Sequence, residues 1–139
     1  MSDNNLTNKA MNIKSHRLSK KEIDDNFSDL HAPLSAIEAL IEADRCYFCY
    51  DAPCTKACPS DIDVPGFIQS IRSDNLTGAA EKILSENIFG GMCARDCPTE
   101  ELCQQACVRN DHEKKPVEIG SLQRYATDSV LNNGVQLFS

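Results

Sequence analysis

Apolar residues recur at helical spacing in several separate segments of the chain. Ile37, Leu40 and Ile41 stand at positions i, i+3 and i+4 of one segment, and Phe67 and Ile71 stand four residues apart in another. This spacing places apolar side chains on one face of an α-helix. No segment alternates apolar and polar residues as a half-buried strand does. The pattern therefore predicts an all-α fold.

Residues that favour helix starts precede these segments. Ser19 with Glu22, and Ser35 with Glu38, have the spacing of a capping box, in which each side chain accepts a hydrogen bond from the other residue's amide. Asp63 can cap a third helix. The helices predicted in this way cover residues of about 20–28, 36–44, 64–72, 76–86, 100–107 and 119–132, with one helical turn at 93–97.

Other stretches are predicted to lack helix. Residues 1–18 are polar and without a sustained apolar period, so they are expected to form a mobile tail. Residues 46–61 and 108–117 are rich in turn-forming or polar residues, and Gly90-Gly91 is expected to break the chain. Residues 19–139 should form a single domain, as is usual for a chain of this length.

Charge and hydropathy exclude two classes of partner. The chain has 21 acidic and 14 basic residues, a formal net charge of −7, which repels the phosphates of nucleic acid. No apolar run has the length of a membrane span, and the N-terminus lacks the apolar core of a secretory signal. We therefore expect a cytoplasmic protein that binds neither nucleic acid nor membrane.

Cysteines are the strongest chemical signal in the sequence. The chain has eight, in two groups. The first group is Cys46, Cys49, Cys54 and Cys58, and the second is Cys93, Cys97, Cys103 and Cys107. In a cytosolic protein, such cysteines indicate metal or redox sites rather than disulfides. Since a cubane cluster takes four soft thiolate ligands, the count predicts two iron–sulfur clusters.

Disulfides, zinc ions and a catalytic dithiol fit these cysteines less well than clusters do. A disulfide framework would need an oxidising compartment, which nothing in the sequence indicates. Two structural zinc ions would favour paired Cys-x2-Cys motifs, and the chain has one, at Cys46 and Cys49. A catalytic dithiol would leave the other six cysteines without a role.

Spacing also suggests how the two groups share the clusters. In bacterial ferredoxins, the cysteine that precedes proline ligates the other cluster of the pair. By this logic Cys58, before Pro59, is assigned to the second cluster. The first cluster would take Cys46, Cys49, Cys54 and Cys107, the last lying one helical turn beyond Cys103. The second would take Cys58, Cys97 and Cys103, with Cys93 as the remaining thiol.

The arrangement of these motifs resembles a known family, the N-terminal iron–sulfur domain of dihydropyrimidine dehydrogenase, which also opens the small subunit of bacterial glutamate synthase. The resemblance covers residues 19 to about 138. It rests on Arg45-Cys46-x2-Cys49-x-Asp51-Ala52-Pro53-Cys54-x3-Cys58-Pro59, Gly78-Ala79-Ala80, Cys93-x3-Cys97-Pro98-Thr99-x3-Cys103-x3-Cys107 and Ile119-Gly120-x2-Gln123-Arg124-Tyr125.

This resemblance implies an α-helical ferredoxin-like domain that carries electrons through two [4Fe-4S] clusters. In dihydropyrimidine dehydrogenases the second cluster is held by three cysteines and a glutamine, which here matches Gln123. Cys93 would then be a thiol beside the cluster, and it stays the alternative fourth ligand. Gln123 and Asp51-Ala52-Pro53 favour the dihydropyrimidine dehydrogenase type, most similar to the flavin and iron–sulfur subunit of the bacterial NAD-dependent enzymes. A glutamate-synthase-like oxidoreductase is the alternative parent.

The family resemblance also implies partners. Its flavin domain begins with a Gly-x-Gly-x-x-Gly fingerprint, which this sequence lacks, so FAD and NAD(P) are expected only on a missing domain or a partner. The expected partners are a flavoprotein domain or subunit, a catalytic partner subunit and a second copy in a homodimer. No catalytic residue is expected in the chain itself. A rival interpretation is a metal-stabilised domain that docks a partner without passing electrons.

Overall fold

The computed structural model describes residues 17–138. The described residues divide into two compact units, with the boundary between residues 32 and 33. Residues 17–138 contain helices, turns and loops and no strand, which confirms the predicted all-α class. Residues 1–16 of the predicted tail lie outside the described part of the chain. Among residues 17–138, no helix combines the length and apolar character that crossing a bilayer requires.

In the first unit, helix α1 is Lys20–Asn26. It begins with the predicted capping box: the Glu22 carboxylate accepts a 2.8 Å hydrogen bond from the Ser19 amide, and Ser19 Oγ accepts one from the Glu22 amide. The helix ends two residues earlier than predicted, and none of its residues is buried. Local capping rather than core packing therefore accounts for its start.

The second unit contains the remaining helices of the described chain. They are α2 (Ala36–Asp44), α3 (Pro53–Lys56), α4 (Val64–Arg72), α5 (Leu76–Glu86), α6 (Gly90–Asp96), α7 (Arg109–Glu113) and α8 (Ile119–Leu131). The bounds of α2, α4 and α5 are those predicted. Side chains of Ser35, Asp63 and Asn75 accept backbone hydrogen bonds at their N-termini, so the caps set where these helices start.

The core lies where α4, α5 and α8 pack against one another, with α2 alongside α4 and α8. Its largest wholly buried side chains include Phe67, Ile83 and Leu122. The apolar stripe of α2 is not part of it, since Ile37 is 72% exposed. That helix instead buries Ala39 and Ala43, whose small side chains allow close helix packing.

Three predicted features around the second cysteine group are wrong. Residues 100–106 form consecutive turns instead of a helix, and the predicted 108–117 loop contains α7. Asn110 Nδ2 donates to the carbonyls of Gln104 and Gln105, at 2.7 and 3.0 Å, which satisfies these acceptors outside a helix. Gly90-Gly91 does not break the chain but begins α6, where both glycines are buried against α5 and α8.

Candidate iron–sulfur sites

The first cysteine loop joins α2 to α4 and is folded back by short-range hydrogen bonds. The Cys46 amide donates to Ala43 O at 3.1 Å, so the loop starts at the end of α2. Phe48 and Ala52 adopt positive φ angles of 51° and 38°, which turn the chain sharply between the cysteines. The Val64 amide donates to Thr55 Oγ1 at 3.1 Å and ties the loop to α4.

Four of the cysteines line one small cavity beside α4: Cys46, Cys49, Cys54 and Cys107. We call this set site 1. Its other walls include aliphatic side chains such as Val64, Ile68 and Val117. Electrostatic interactions link the Cys46 thiol to Cys49 and Cys107, and the Cys54 thiol to Cys46 and Cys107. The structure thus brings together the four residues that spacing assigned to the first cluster.

The remaining four cysteines form a second electrostatic group, site 2, made of Cys58, Cys93, Cys97 and Cys103. The Cys97 thiol interacts with Cys93 and Cys58, and the Cys103 thiol interacts with Cys58 and Cys97. Cys93 lies within α6, and Cys97 caps its C-terminal end. Cys103 interacts with Cys54 as well, so sites 1 and 2 adjoin.

Burial favours the protonated form of four of the thiols. It raises the pKa of Cys54 to about 11 and that of Cys103 to about 12, and it also raises the pKa of Cys46 and Cys97. Such thiols are neutral at pH 7 and become thiolates when a cation takes the proton's place. Metal binding at these sites therefore releases protons and couples to folding.

Two further side chains contact α6, the helix that carries Cys93. Gln123 is buried, and its Nε2 donates to Gly90 O at 2.7 Å, at the start of the helix that carries Cys93. The Cys93 sulfur accepts a 3.2 Å hydrogen bond from Asn87 Nδ2, which also donates to Ser60 Oγ at 3.1 Å. Each candidate for the fourth ligand of site 2 thus has its own positioning contact.

Sequence reasoning missed two residues that touch the sites. Asn87 contacts the Cys93 sulfur, and Arg109 lines the cavity of site 1. Neither residue belongs to a metal-ligand motif. The Arg109 side chain donates a hydrogen bond to Arg45 O, which lies 64 residues away in the sequence. The one signal for Arg109 in the sequence was its place two residues after Cys107.

The residues present fit four-iron clusters. Site 1 offers four soft thiolate donors around one cavity with apolar walls, which suits iron coordinated by sulfur. Within residues 17–138, no three cysteine, histidine, aspartate or glutamate side chains converge on the position of a single metal ion. In a four-iron cluster each thiolate binds a different iron, so the ligands stand farther apart than around one zinc ion.

Comparison with known families agrees with this chemistry. Residues 23–135 match the family model described as dihydropyrimidine dehydrogenase domain II, 4Fe-4S cluster. The match covers both cysteine groups and Gln123.

Individual relatives are oxidoreductases or subunits of one. An NAD-dependent dihydropyrimidine dehydrogenase subunit PreT of Escherichia coli O157:H7 is 45% identical over 82% of this chain and 27% of its own length. The PreT subunit of Salmonella typhimurium is equally similar, at 45% identity. A putative oxidoreductase UacF of Escherichia coli K12 is 33% identical over 85% of this chain and 18% of its own length. The chain therefore spans about a quarter of the length of the PreT subunits.

Proposed function

Because the chain belongs to the family of dihydropyrimidine dehydrogenase 4Fe-4S domains, we propose that it is an electron-transfer module with one [4Fe-4S] cluster at each of its two sites. The observation that carries this proposal is the cavity that Cys46, Cys49, Cys54 and Cys107 line together. The separate electrostatic group around Cys103 supports the second cluster.

The ligands proposed for each cluster come from these two groups and, for Gln123, from the family resemblance. Site 1 would use Cys46, Cys49, Cys54 and Cys107. Site 2 would use Cys58, Cys97, Cys103 and Gln123, with Cys93 as the alternative fourth ligand. The hydrogen bond from Gln123 Nε2 to Gly90 O supports Gln123 as the fourth ligand of site 2. It uses the side-chain nitrogen and leaves the side-chain oxygen to bind iron.

Bound clusters would supply one-electron carriers, which a protein side chain alone does not provide. The chain's own residues bury the thiolates, orient them and donate hydrogen bonds to sulfur, as the Phe48 amide does to Cys46 Sγ at 3.4 Å. The interaction between Cys54 and Cys103 supports a short path between the two sites.

The parent enzyme proposed for this module is an NAD(P)-linked flavoprotein oxidoreductase of dihydropyrimidine dehydrogenase type. The relatives' names support this parent, since they describe subunits of an NAD-dependent dihydropyrimidine dehydrogenase. The module would exchange electrons with a flavoprotein domain or subunit that carries FAD and NAD(P). A catalytic partner subunit and a second copy of the chain are the further partners proposed.

The test is anaerobic purification followed by iron, sulfide and zinc analysis and by electron paramagnetic resonance (EPR). We expect iron and sulfide for two clusters, a visible absorption band that dithionite bleaches, and two EPR signals after reduction. A colourless, zinc-loaded and fully folded protein would contradict the proposal and favour a partner-docking domain. A single cluster would contradict the assignment of a cluster to each site.

A further inference from the structure

Arg109 is the basic residue that lines the cavity of site 1. It is the first residue of α7 and lies two residues after the ligand candidate Cys107. Its side chain is 15% exposed, so its positive charge is largely removed from solvent. A charge in that position acts on site 1 with less screening than a surface charge does.

Three contacts hold the guanidinium of Arg109 in place. Its Nε donates to Arg45 O, immediately before Cys46 in the chain, and its Nη1 pairs with Glu113. The guanidinium also lies over the Tyr47 ring, 4.1 Å from the ring centre, in a cation–π contact. Arg109 is therefore attached to the same loop that provides Cys46 and Cys49.

The carboxylates around Arg109 do not cancel the effect of its positive charge on the thiols of site 1. Glu113 also pairs with Arg45, and Arg45 pairs with Glu42, so two guanidinium groups face two carboxylates. The Glu113 side chain is 41% exposed, against 15% for Arg109, so solvent screens the carboxylate more than the cation. Burial raises the pKa of the Cys46 thiol overall, and the Arg109 charge opposes that rise.

Site 2 has a different electrostatic environment. The charged side chain that acts on Cys97, besides the other thiols, is the Glu100 carboxylate. The neutral side-chain amide of Asn87 donates a hydrogen bond to the Cys93 sulfur. Arg95, on the helix that carries Cys93, turns to Gly91 O and to the Asp128 carboxylate.

We infer that the fixed positive charge of Arg109 raises the reduction potential of site 1, because it stabilises the electron added there. The inference rests on the proposed function. In the reduction step one electron from a one-electron donor enters the cluster at site 1, and no bond to Arg109 forms or breaks. Net charge and nearby charged groups set cluster potentials, and Arg109 is the basic side chain that lines the cavity of site 1.

The test is a potentiometric titration followed by EPR on the cluster-loaded chain, with dithionite as reductant. Variants Arg109→Gln and Arg109→Lys are compared with Lys82→Gln, which removes the same charge from an exposed position of α5. Cys49→Ser, which changes a ligand candidate of site 1, identifies the signal of that site.

Arg109→Gln should lower the ratio of reduced to oxidised site 1 at least tenfold at a given potential, which is about 59 mV for one electron. Site 2 should change much less, Arg109→Lys should recover most of the loss, and Lys82→Gln should leave both sites unchanged.

Two results would overturn the inference while leaving the proposed function intact: an unchanged potential of site 1 in Arg109→Gln, or equal shifts of both sites in that variant. If Arg109→Gln fails to load site 1, Glu113→Gln, which removes the carboxylate that pairs with Arg109, still decides, because an unchanged potential of site 1 in it overturns the inference. A wild-type chain without two reducible signals would overturn the proposed function, and this inference with it.

Discussion

Site 1 and site 2 draw their ligands from the chain in different ways. Site 1 takes three cysteines from the single loop between α2 and α4 and one, Cys107, from the turn before α7. Site 2 groups Cys58 from the end of that loop, Cys93 from α6, Cys97 at the C-terminal end of α6, and Cys103 from the turns that follow. The loop and the turns thus contribute to both sites, so we expect the two sites to form together.

The two sites also differ in the groups that surround their thiols. A buried guanidinium, aliphatic walls and a backbone amide surround site 1. The Glu100 carboxylate and the Asn87 side-chain amide lie beside thiols of site 2. Equal numbers of cysteines therefore do not make the sites equivalent, and the neighbouring residues are where their properties diverge.

The largest effect that we expect would come from breaking the link between the sites. Cys103→Ala removes the most buried thiol, which interacts with Cys58, Cys97 and Cys54. Because cluster binding supplies folding energy, iron content should fall by more than about half and the helical circular dichroism should decrease. Ser70→Ala, which removes a hydroxyl bonded to Gly66 O within α4, is the control. Loss of only half the iron with unchanged stability would mean that the sites fold independently.

The fourth ligand of site 2 is open to a narrower test. Gln123→Ala should remove the EPR signal of site 2 and keep that of site 1, because it removes the oxygen donor proposed there. Cys93→Ala should keep both signals and shift only the potential of site 2, since the Cys93 sulfur would be a neighbour of the cluster. If Cys93→Ala loses the signal and Gln123→Ala keeps it, the ligand assignment is wrong.

A smaller effect is expected from the glycine that lets Gln123 approach α6. A Cβ at Gly90 would overlap Ile83 Cγ2 and lie 3.7 Å from Gln123 Nε2. Gly90→Ala should therefore cost about 1–3 kcal/mol of unfolding free energy and broaden the EPR signal of site 2 more than that of site 1. Gly91→Ala is the matched control, because its Cβ would meet Leu131 Cδ1 at an ordinary 3.4 Å. Equal effects of the two substitutions would show that Gly90 has no special place beside site 2.

Local chemistry explains what could be predicted of the fold. Capping by Ser35, Asp63 and Asn75 uses atoms within three residues of the helix start, so the starts of α2, α4 and α5 can be seen in the sequence. The buried face of α2 could not be seen in the same way. Hydrophobicity favoured Ile37 and Ile41, whereas close approach of the neighbouring helices selected Ala39 and Ala43.

Side-chain contacts explain what could not be predicted around the second cysteine group. Thr99 and Glu100–Glu101 have the features of a helix start, but the Asn110 side chain donates to the Gln104 and Gln105 carbonyls and the segment forms turns. Gly90-Gly91 has the features of a break, but burial against Ile83 and Thr127 makes the pair the start of a helix. In the first case a side chain five and six residues away outweighed the local preference, and in the second the packing against α5 and α8 did so.

The sequence by itself determined the all-α class, the caps and the eight cysteines in two groups, because helix period, capping and ligand type are properties of neighbouring residues. Its division of the cysteines between two clusters remains a proposal. Only the tertiary structure decided which other side chains stand beside each group: Arg109 at site 1, and Asn87 at site 2. The reason is physical, since the field at a buried site comes from whatever the fold brings within a few ångströms, however far along the chain it lies.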